Sequence, residues 1–275
     1  MRFATVRHDG TTRAARVEDD HYVVLDHADV GELLRSGDGG HVHGPAVDRA
    51  TADLAPLITH PGKIVCVGAT YRDHIEEMGR DVPPAPTYFA KFRQALIGAH
   101  DDIALPDPAT STSIDWEAEL AVIIGTELRH ASSADALAAI AGYTVLNDVS
   151  VRDYQRRTTQ FLAGKTFESM TPLGPELVTR DELGDGSGLA IRCEIDGVVK
   201  QESNTSELVF NAVDIVADLS TIITLEPGDV IATGTPGGVG AARTPPEWMM
   251  DGTVVRTMID GIGECQNVCR NQVRG

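Results

Sequence analysis

The sequence predicts an α+β fold that is mostly β: a mixed, largely antiparallel architecture with a few helices. Three observations point there. Short apolar or alternating stretches recur, joined by turn signals such as Asp9-Gly10, Asp19-Asp20 and Asp196-Gly197. In the larger, C-terminal part these stretches come as hairpins and returns. The longest apolar region, LVFNAVDIVADLSTIITL (208–225), is broken by Asp214 and Asp218, which suits a buried or amphipathic helix and not a membrane span.

Residues 1–60 read as a small α/β module. Short strands over FATVRHDGTTRAARVEDDHYVVLD precede a brief helix, ADVGELLRSGDGG, that ends at glycines, and APLITHPGK is a proline-bearing connector. Residues 61–275 form the main domain. It opens with the buried strand KIVCVGA, followed by a helical segment TYRDHIEEMGR stopped at Gly79, a rigid loop DVPPAP and a strand TYFAKF. IDWEAELAVIIG (114–125) reads as one core strand. SSADALAAIAGY is a helix with Ser132 as N-cap and Asp135 three residues on, and YTVLND is a strand leading to a short helix in VSVRDYQRRTT. LAIRCEIDGVVKQE is a hairpin, a long helix spans about 206–222, PGDVIATGTPGGVG runs from a strand into a glycine-rich loop, and TVVRTMIDGIGECQNVCR is a closing hairpin.

The chain has 275 residues, 42% of them hydrophobic and 23% charged, so an ordinary globular core is expected. A net charge of −18 disfavours a nucleic-acid partner and means that an anionic ligand must be held by local cations or a metal. Four dispersed cysteines argue against a disulfide framework and for buried thiols in a reducing compartment. The N-terminal stretch MRFATVRHDG lacks the apolar run of a signal peptide, and a cytoplasmic protein is the expectation.

In an extended chain, alternate side chains share a face, so Asp115, Glu117 and Glu119 point the same way, about 7 Å apart. Glu117 and Glu119 fit a divalent cation or a solvated strand face; spacing alone favours neither. Oxygen ligands suit Mg²⁺, Mn²⁺ or Ca²⁺ better than zinc, and Asp148, closing a strand, is the candidate third ligand. His74 and Glu77 are neighbours on a helical turn, a carboxylate–imidazole pair suited to a general base, although by itself the pattern more often marks an incidental surface pair. Arg152, Gln155 and Lys165 gather after Asp148, where they suit an anionic substrate. TGTPGGVG offers Thr233, Thr235 and free backbone N–H groups without the Lys-Ser/Thr of a nucleotide-binding loop.

KIVCVGATYRDHIEEM, IDWEAELAVIIG, GYTVLNDVSVRDYQ, GKTFESMTPLGP and LEPGDVIATGTPGGVG, in this order, resemble the fumarylacetoacetate hydrolase family over roughly residues 60–270. The resemblance implies a mixed β-roll or sandwich-like catalytic domain in a homodimer. It implies Mg²⁺ or Mn²⁺ at Glu117, Glu119 and Asp148. His74 and Glu77 match a water-activating dyad on a lid segment, Lys165 a lysine facing the substrate, and Arg152, Gln155, Tyr71 and Thr235 substrate-binding positions. The activity it implies is metal-dependent hydrolysis of a C–C bond in an acylpyruvate such as fumarylpyruvate or acetylpyruvate, releasing pyruvate. Oxaloacetate decarboxylation, and isomerisation or hydration of 2-hydroxymuconate or 2-oxo-pentenoate acids, use the same ligands and stay open, as does an idle scaffold that kept the fold. One departure from the family's pattern is Thr70, where asparagine is common; Asp115 is left as an acid beside the site or on the surface.

Overall fold

A computed structural model describes residues 1–39 and 42–272. Strands β1 (Arg2–His8), β2 (Thr11–Glu18) and β3 (His21–Leu25) form a meander. Its first turn places Asp9 and Gly10 at φ of 50° and 75°, the left-handed backbone that a tight hairpin demands. Helix α1 (Val30–Ser36) starts where the Asp29 carboxylate accepts the N–H of Glu32, and stops at Gly37 with φ 66°. Strand β4 (Val42–Asp48) then pairs with β3.

The larger part runs β5 (Ile64–Gly68), α2 (Arg72–Glu77), β6 (Thr87–Ala90) and the short β7 (Leu96–Ile97), β8 (Ile103–Leu105) and β9 (Ile114–Asp115). After β10 (Ala118–Ile124), helix α3 (Ser133–Ala139) carries the expected capping box between Ser132 and Asp135. It passes directly into β11 (Ile140–Asn147), so the strand begins earlier than YTVLND suggests. β12 (Ser150–Val151) and the single-turn helices α4 (Arg152–Gln155) and α5 (Leu162–Lys165) lead to β13 (Thr171–Thr179) and α6 (Arg180–Leu183). β14 (Ala190–Ile195) and β15 (Val198–Asn204) make the expected hairpin over Asp196-Gly197. Helix α7 (Ala212–Ile222) starts later than expected, because Asn211 caps it by accepting the N–H of Asp214. β16 (Val230–Ala232), β17 (Val254–Ile259) and β18 (Gly263–Asn271) finish the chain.

Among the described residues, one open sheet of eleven strands runs β4-β3-β2-β1-β13-β11-β10-β16-β5-β6, with β7 beside β13. The N-terminal strands extend this sheet through antiparallel β1–β13 pairing. A second sheet, β15-β14-β17-β18-β8, packs over β10, β11 and β13. The fold is thus mostly β and sandwich-like, as the sequence predicts.

Alternation along β10 builds both sides of the core. Leu120, Val122 and Ile124 join the cluster that includes Cys193, Val255 and Ile215, while Ala121 and Ile123 join Ile64, Cys66 and Leu173 on the opposite face. A strand buried on both faces reads as a continuous apolar run, which is what AVII is. IDWEAELAVIIG is not one strand, however. It breaks at Trp116 and Glu117, where β9 pairs with β12 and β10 with β11. The Asn147 side chain spans the break, accepting the Glu117 N–H at 3.0 Å and donating to Thr257 Oγ1 at 2.9 Å. Among the described residues no helix is long and apolar enough to cross a membrane.

Candidate active site

A cavity of about 590 Å³ opens where β10, α2, α4, α5 and the 233–242 loop meet. Glu117, Glu119 and Asp148 stand together at its buried end: one oxygen of each lies within 4.8 Å of the others. The β10–β11 register sets Ala118 across from Asn147, which places Glu117 and Glu119 beside Asp148. The Asp148 N–H to Glu117 carbonyl bond, 2.8 Å, locks the approach.

Three buried cations face these acids. Lys165 Nζ lies 2.6 Å from Glu117 Oε2 and 2.8 Å from Asp148 Oδ2. Lys91 Nζ lies 2.8 Å from Asp148 Oδ1 and donates to the Lys165 carbonyl. Arg152 pairs through Nη1 with Glu117 at 2.7 Å and through Nε with Asp115 at 2.7 Å. α5 delivers Lys165 because Gly164 lets it approach α4; a Cβ there would stand 2.4 Å from the Gln155 amide nitrogen.

The electrostatics divide the three acids. Burial opposes ionisation of Glu117, but Lys165 and Arg152 outweigh it and hold the carboxyl below its usual range. Asp148 is held down likewise by Lys165 and Lys91. Burial, with the negative charges of Asp148 and Glu117, pushes Glu119 well above its usual range. Among the described residues, only the Gly234 N–H, at 2.8 Å, is hydrogen-bonded to it. Four buried acids, counting Asp115, thus face three cations, and Glu119 is the one without a cation at contact. A hard divalent cation among Glu117, Glu119 and Asp148 fits that shortfall and the all-oxygen donor set.

Asp115, at 0% exposure, does not sit on the surface. Its Oδ1 accepts the N–H groups of Trp116 (2.9 Å) and Gly240 (2.7 Å); its Oδ2 accepts Arg152 Nε and the Ala241 N–H (3.0 Å). It therefore ties Arg152 to the glycine-rich loop across the cavity. Arg152 Nη1 also donates to Gln155 Oε1 at 3.0 Å, while Arg152 Nη2 is buried without a hydrogen-bond partner among the described residues.

The other wall is α2. His74 Nδ1 is 3.1 Å from Glu77 Oε2, and Glu77 Oε1 accepts the Gly238 N–H at 3.0 Å. Burial opposes the Glu77 charge, but these hydrogen bonds and the charges of His74 and Arg243 hold its carboxyl below the usual range. Thr235 lines the cavity and accepts from Gln201, whose own oxygen accepts the Ala118 N–H. Thr70 donates to the Thr233 carbonyl at 2.7 Å, fastening the loop from below.

The structure brings His74, Glu77, Glu117, Glu119, Arg152, Gln155, Lys165 and Thr235 onto one cavity, with Asp148 just behind it. Tyr71 is not on the cavity wall. It is fully buried in the core, and its hydroxyl has no hydrogen-bond partner among the described residues. Sequence reasoning missed Lys91 and Gln201. The signal for Lys91 was a lysine ending the apolar strand TYFAKF. Gln201, in the half-exposed strand VVKQESN, carried none.

An all-oxygen carboxylate group beside an imidazole–carboxylate pair, on one cavity of a mostly β fold, is the donor set of a hard-cation site with a proton-transfer pair next to it. The sequence model described as Fumarylacetoacetate (FAA) hydrolase C-terminal matches residues 63–270, and the chain belongs to the fumarylacetoacetate hydrolase family. It is 43% identical over 221 residues to the oxaloacetate tautomerase FAHD2A, mitochondrial, of Homo sapiens, covering 80% of this chain and 70% of that protein. It is 44% identical over 223 residues to the oxaloacetate tautomerase fahd2, mitochondrial, of Xenopus laevis, covering 80% and 69%. The solved fumarylacetoacetate hydrolase of Exiguobacterium antarcticum superposes with a TM-score of 0.90 at 32% identity, covering 99% of this chain and all of that one. The 5-carboxymethyl-2-hydroxymuconate delta-isomerase of Mycobacterium smegmatis does so at 0.83 and 32%, covering both chains fully. The expectation of a cytoplasmic protein is corrected by these comparisons, since the matched animal relatives are named as mitochondrial proteins. Free, buried thiols do not discriminate between compartments.

Proposed function

We propose that this chain is a Mg²⁺- or Mn²⁺-dependent enzyme that interconverts the keto and enol forms of a 2-oxo acid, with oxaloacetate as the leading substrate. The observation that carries this reading is Arg152 Nη2, a buried guanidinium N–H without a partner beside the three-carboxylate group. Such a donor is costly unless an anion completes it, and a 2-oxo carboxylate places one beside a chelating pair of oxygens. The names of the matched relatives support the choice of reaction, ahead of the C–C hydrolysis of an acylpyruvate that the sequence suggests.

A divalent cation held by Glu117, Glu119 and Asp148 would supply Lewis-acid polarisation of the 2-oxo group, worth several kcal/mol to a developing enolate. Arg152, braced by Asp115 and Gln155, holds the substrate carboxylate. Lys165, pinned between Glu117 and Asp148 and with its pKa raised by them against the effect of burial, stays an ammonium and cannot act as a base. The proton is therefore carried by His74 through Nε2, since Nδ1 is engaged by Glu77, between the enol oxygen and C3. Closure of α2 onto Gly238 shields that proton from bulk water. We retain the homodimer as part of this reading; light scattering in solution tests it.

The deciding experiment follows decay of enol-oxaloacetate by ultraviolet absorbance, in Mg²⁺, in Mn²⁺ and in EDTA, with pyruvate assayed alongside. Metal-dependent acceleration without pyruvate is expected. Stoichiometric pyruvate and CO₂ would make the enzyme a decarboxylase. Inertness toward oxaloacetate with cleavage of acetylpyruvate would restore hydrolysis.

A further inference from the structure

The cations at the buried end of the cavity are already committed to acids. Lys91, Lys165 and Arg152 face Asp115, Glu117 and Asp148, and Glu119 makes a fourth acid. With a divalent ion in place the group carries about one net positive charge, enough for one carboxylate or enolate head. A second carboxylate on the substrate would find no countercharge there, in a chain of net charge −18.

Two more arginines line the same cavity, Arg80 and Arg156. Neither lies within ion-pair distance of a carboxylate among the described residues. They come from different elements. Arg156 caps α4, its N–H bonded to the Arg152 carbonyl at 3.1 Å, so it rides on the turn that presents Arg152. Arg80 follows α2, its N–H bonded to the Ile75 carbonyl at 3.1 Å, on the wall that carries His74. Glu77, an acid on the same cavity, is occupied by His74 and Gly238. The cavity is large enough for a substrate that reaches well beyond its chelating head.

We propose that Arg80 and Arg156 form a distal anion subsite, which selects 2-oxo acids bearing a second carboxylate. The inference rests on the reading of the buried end as a 2-oxo acid site. A planar guanidinium matches a carboxylate through two parallel N–H donors, and two such forks on one cavity would hold the far end of a diacid.

The test is calorimetric binding in Mg²⁺ of three ligands: oxalate for the chelating head, 2-oxobutyrate as a monoacid and 2-oxoglutarate as a diacid. Wild type is expected to bind oxalate and to prefer the diacid over the monoacid. Arg80→Met and Arg156→Met should each reduce that preference on the order of tenfold, and the double variant should abolish it. Arg157→Met is the control: Arg157 stacks over Tyr154 at 3.3 Å and does not line the cavity, so its loss removes the same charge without touching the subsite. Oxalate binding with no diacid preference, a preference that survives in the double variant, or an equal loss in Arg157→Met would each overturn the subsite while leaving the head intact. Failure of wild type to bind oxalate would instead overturn the reading of the head, and this proposal with it.

Discussion

Asp115→Asn removes one charge from a fully buried position and keeps the shape. In the native protein each carboxylate oxygen accepts two N–H donors, Trp116 and Gly240 on one, Arg152 Nε and Ala241 on the other. An amide has a single acceptor oxygen, so whichever way it turns, its NH₂ faces two donors. Each buried donor left open costs about 1–3 kcal/mol. Arg152 also loses one of its two acids, and breaking a buried pair costs about 3–5 kcal/mol. Taking about 3–5 kcal/mol for the whole change, and about 2–4 °C per kcal/mol for a domain of this size, the melting temperature should fall by about 6–20 °C. Because Asp115 also aims Arg152, KM for a 2-oxo acid should rise by about tenfold or more. Differential scanning calorimetry and steady-state kinetics read the two effects. A melting temperature within about 2 °C of wild type together with an unchanged KM would refute the reasoning.

Glu119→Gln should leave the metal-free protein folded but abolish its stabilisation by Mg²⁺ or Mn²⁺ in thermal melts. The sign of its pH dependence follows from the raised pKa of Glu119. Its stabilising contribution is full below the unfolded value of about 4.3 and is lost as pH rises through the folded value. Glu117 and Asp148, held low, contribute stability that is lost as pH falls through their folded values. In EDTA, wild type should therefore lose stability on this account from about pH 4.5 upward, and Glu119→Gln should flatten that limb. Metal binding should release a proton in wild type at any pH where Glu119 is protonated in the metal-free protein, measurable by calorimetry in buffers of different ionisation heat. His74→Ala should lower kcat by about 10²–10⁴-fold if the imidazole carries the proton; a change of only a few-fold would remove it from that role. Gly234→Ala should fail to fold or melt far lower, since its Cβ would stand 1.9 Å from Thr70 Oγ1 at a φ of 98°.

Local chemistry made much of the fold readable. Hairpins announced themselves through Asp-Gly turns, α3 through its Ser132–Asp135 box, and β10 through an apolar run, because each depends on residues close in sequence. β4 and β13 were not read as strands. β13 contains Pro172 and Pro175, which propensity treats as breakers, and it sits centrally only because β1 and β11 supply its pairing partners.

Five short motifs in order were enough to show the family resemblance, and through it to single out the carboxylate set and the His74–Glu77 pair, which spacing alone left open. Only the tertiary structure decided what neutralises them. Lys91, Asp115 and Gln201 acquire their long-range partners 34 to 126 residues away along the chain, for example Asp115 with Ala241 and Gln201 with Thr235. Tyr71 adjoins the motif yet ends in the core. Whether a charge is buried, paired or spare is set by what packs against it from distant segments, and that information is not local.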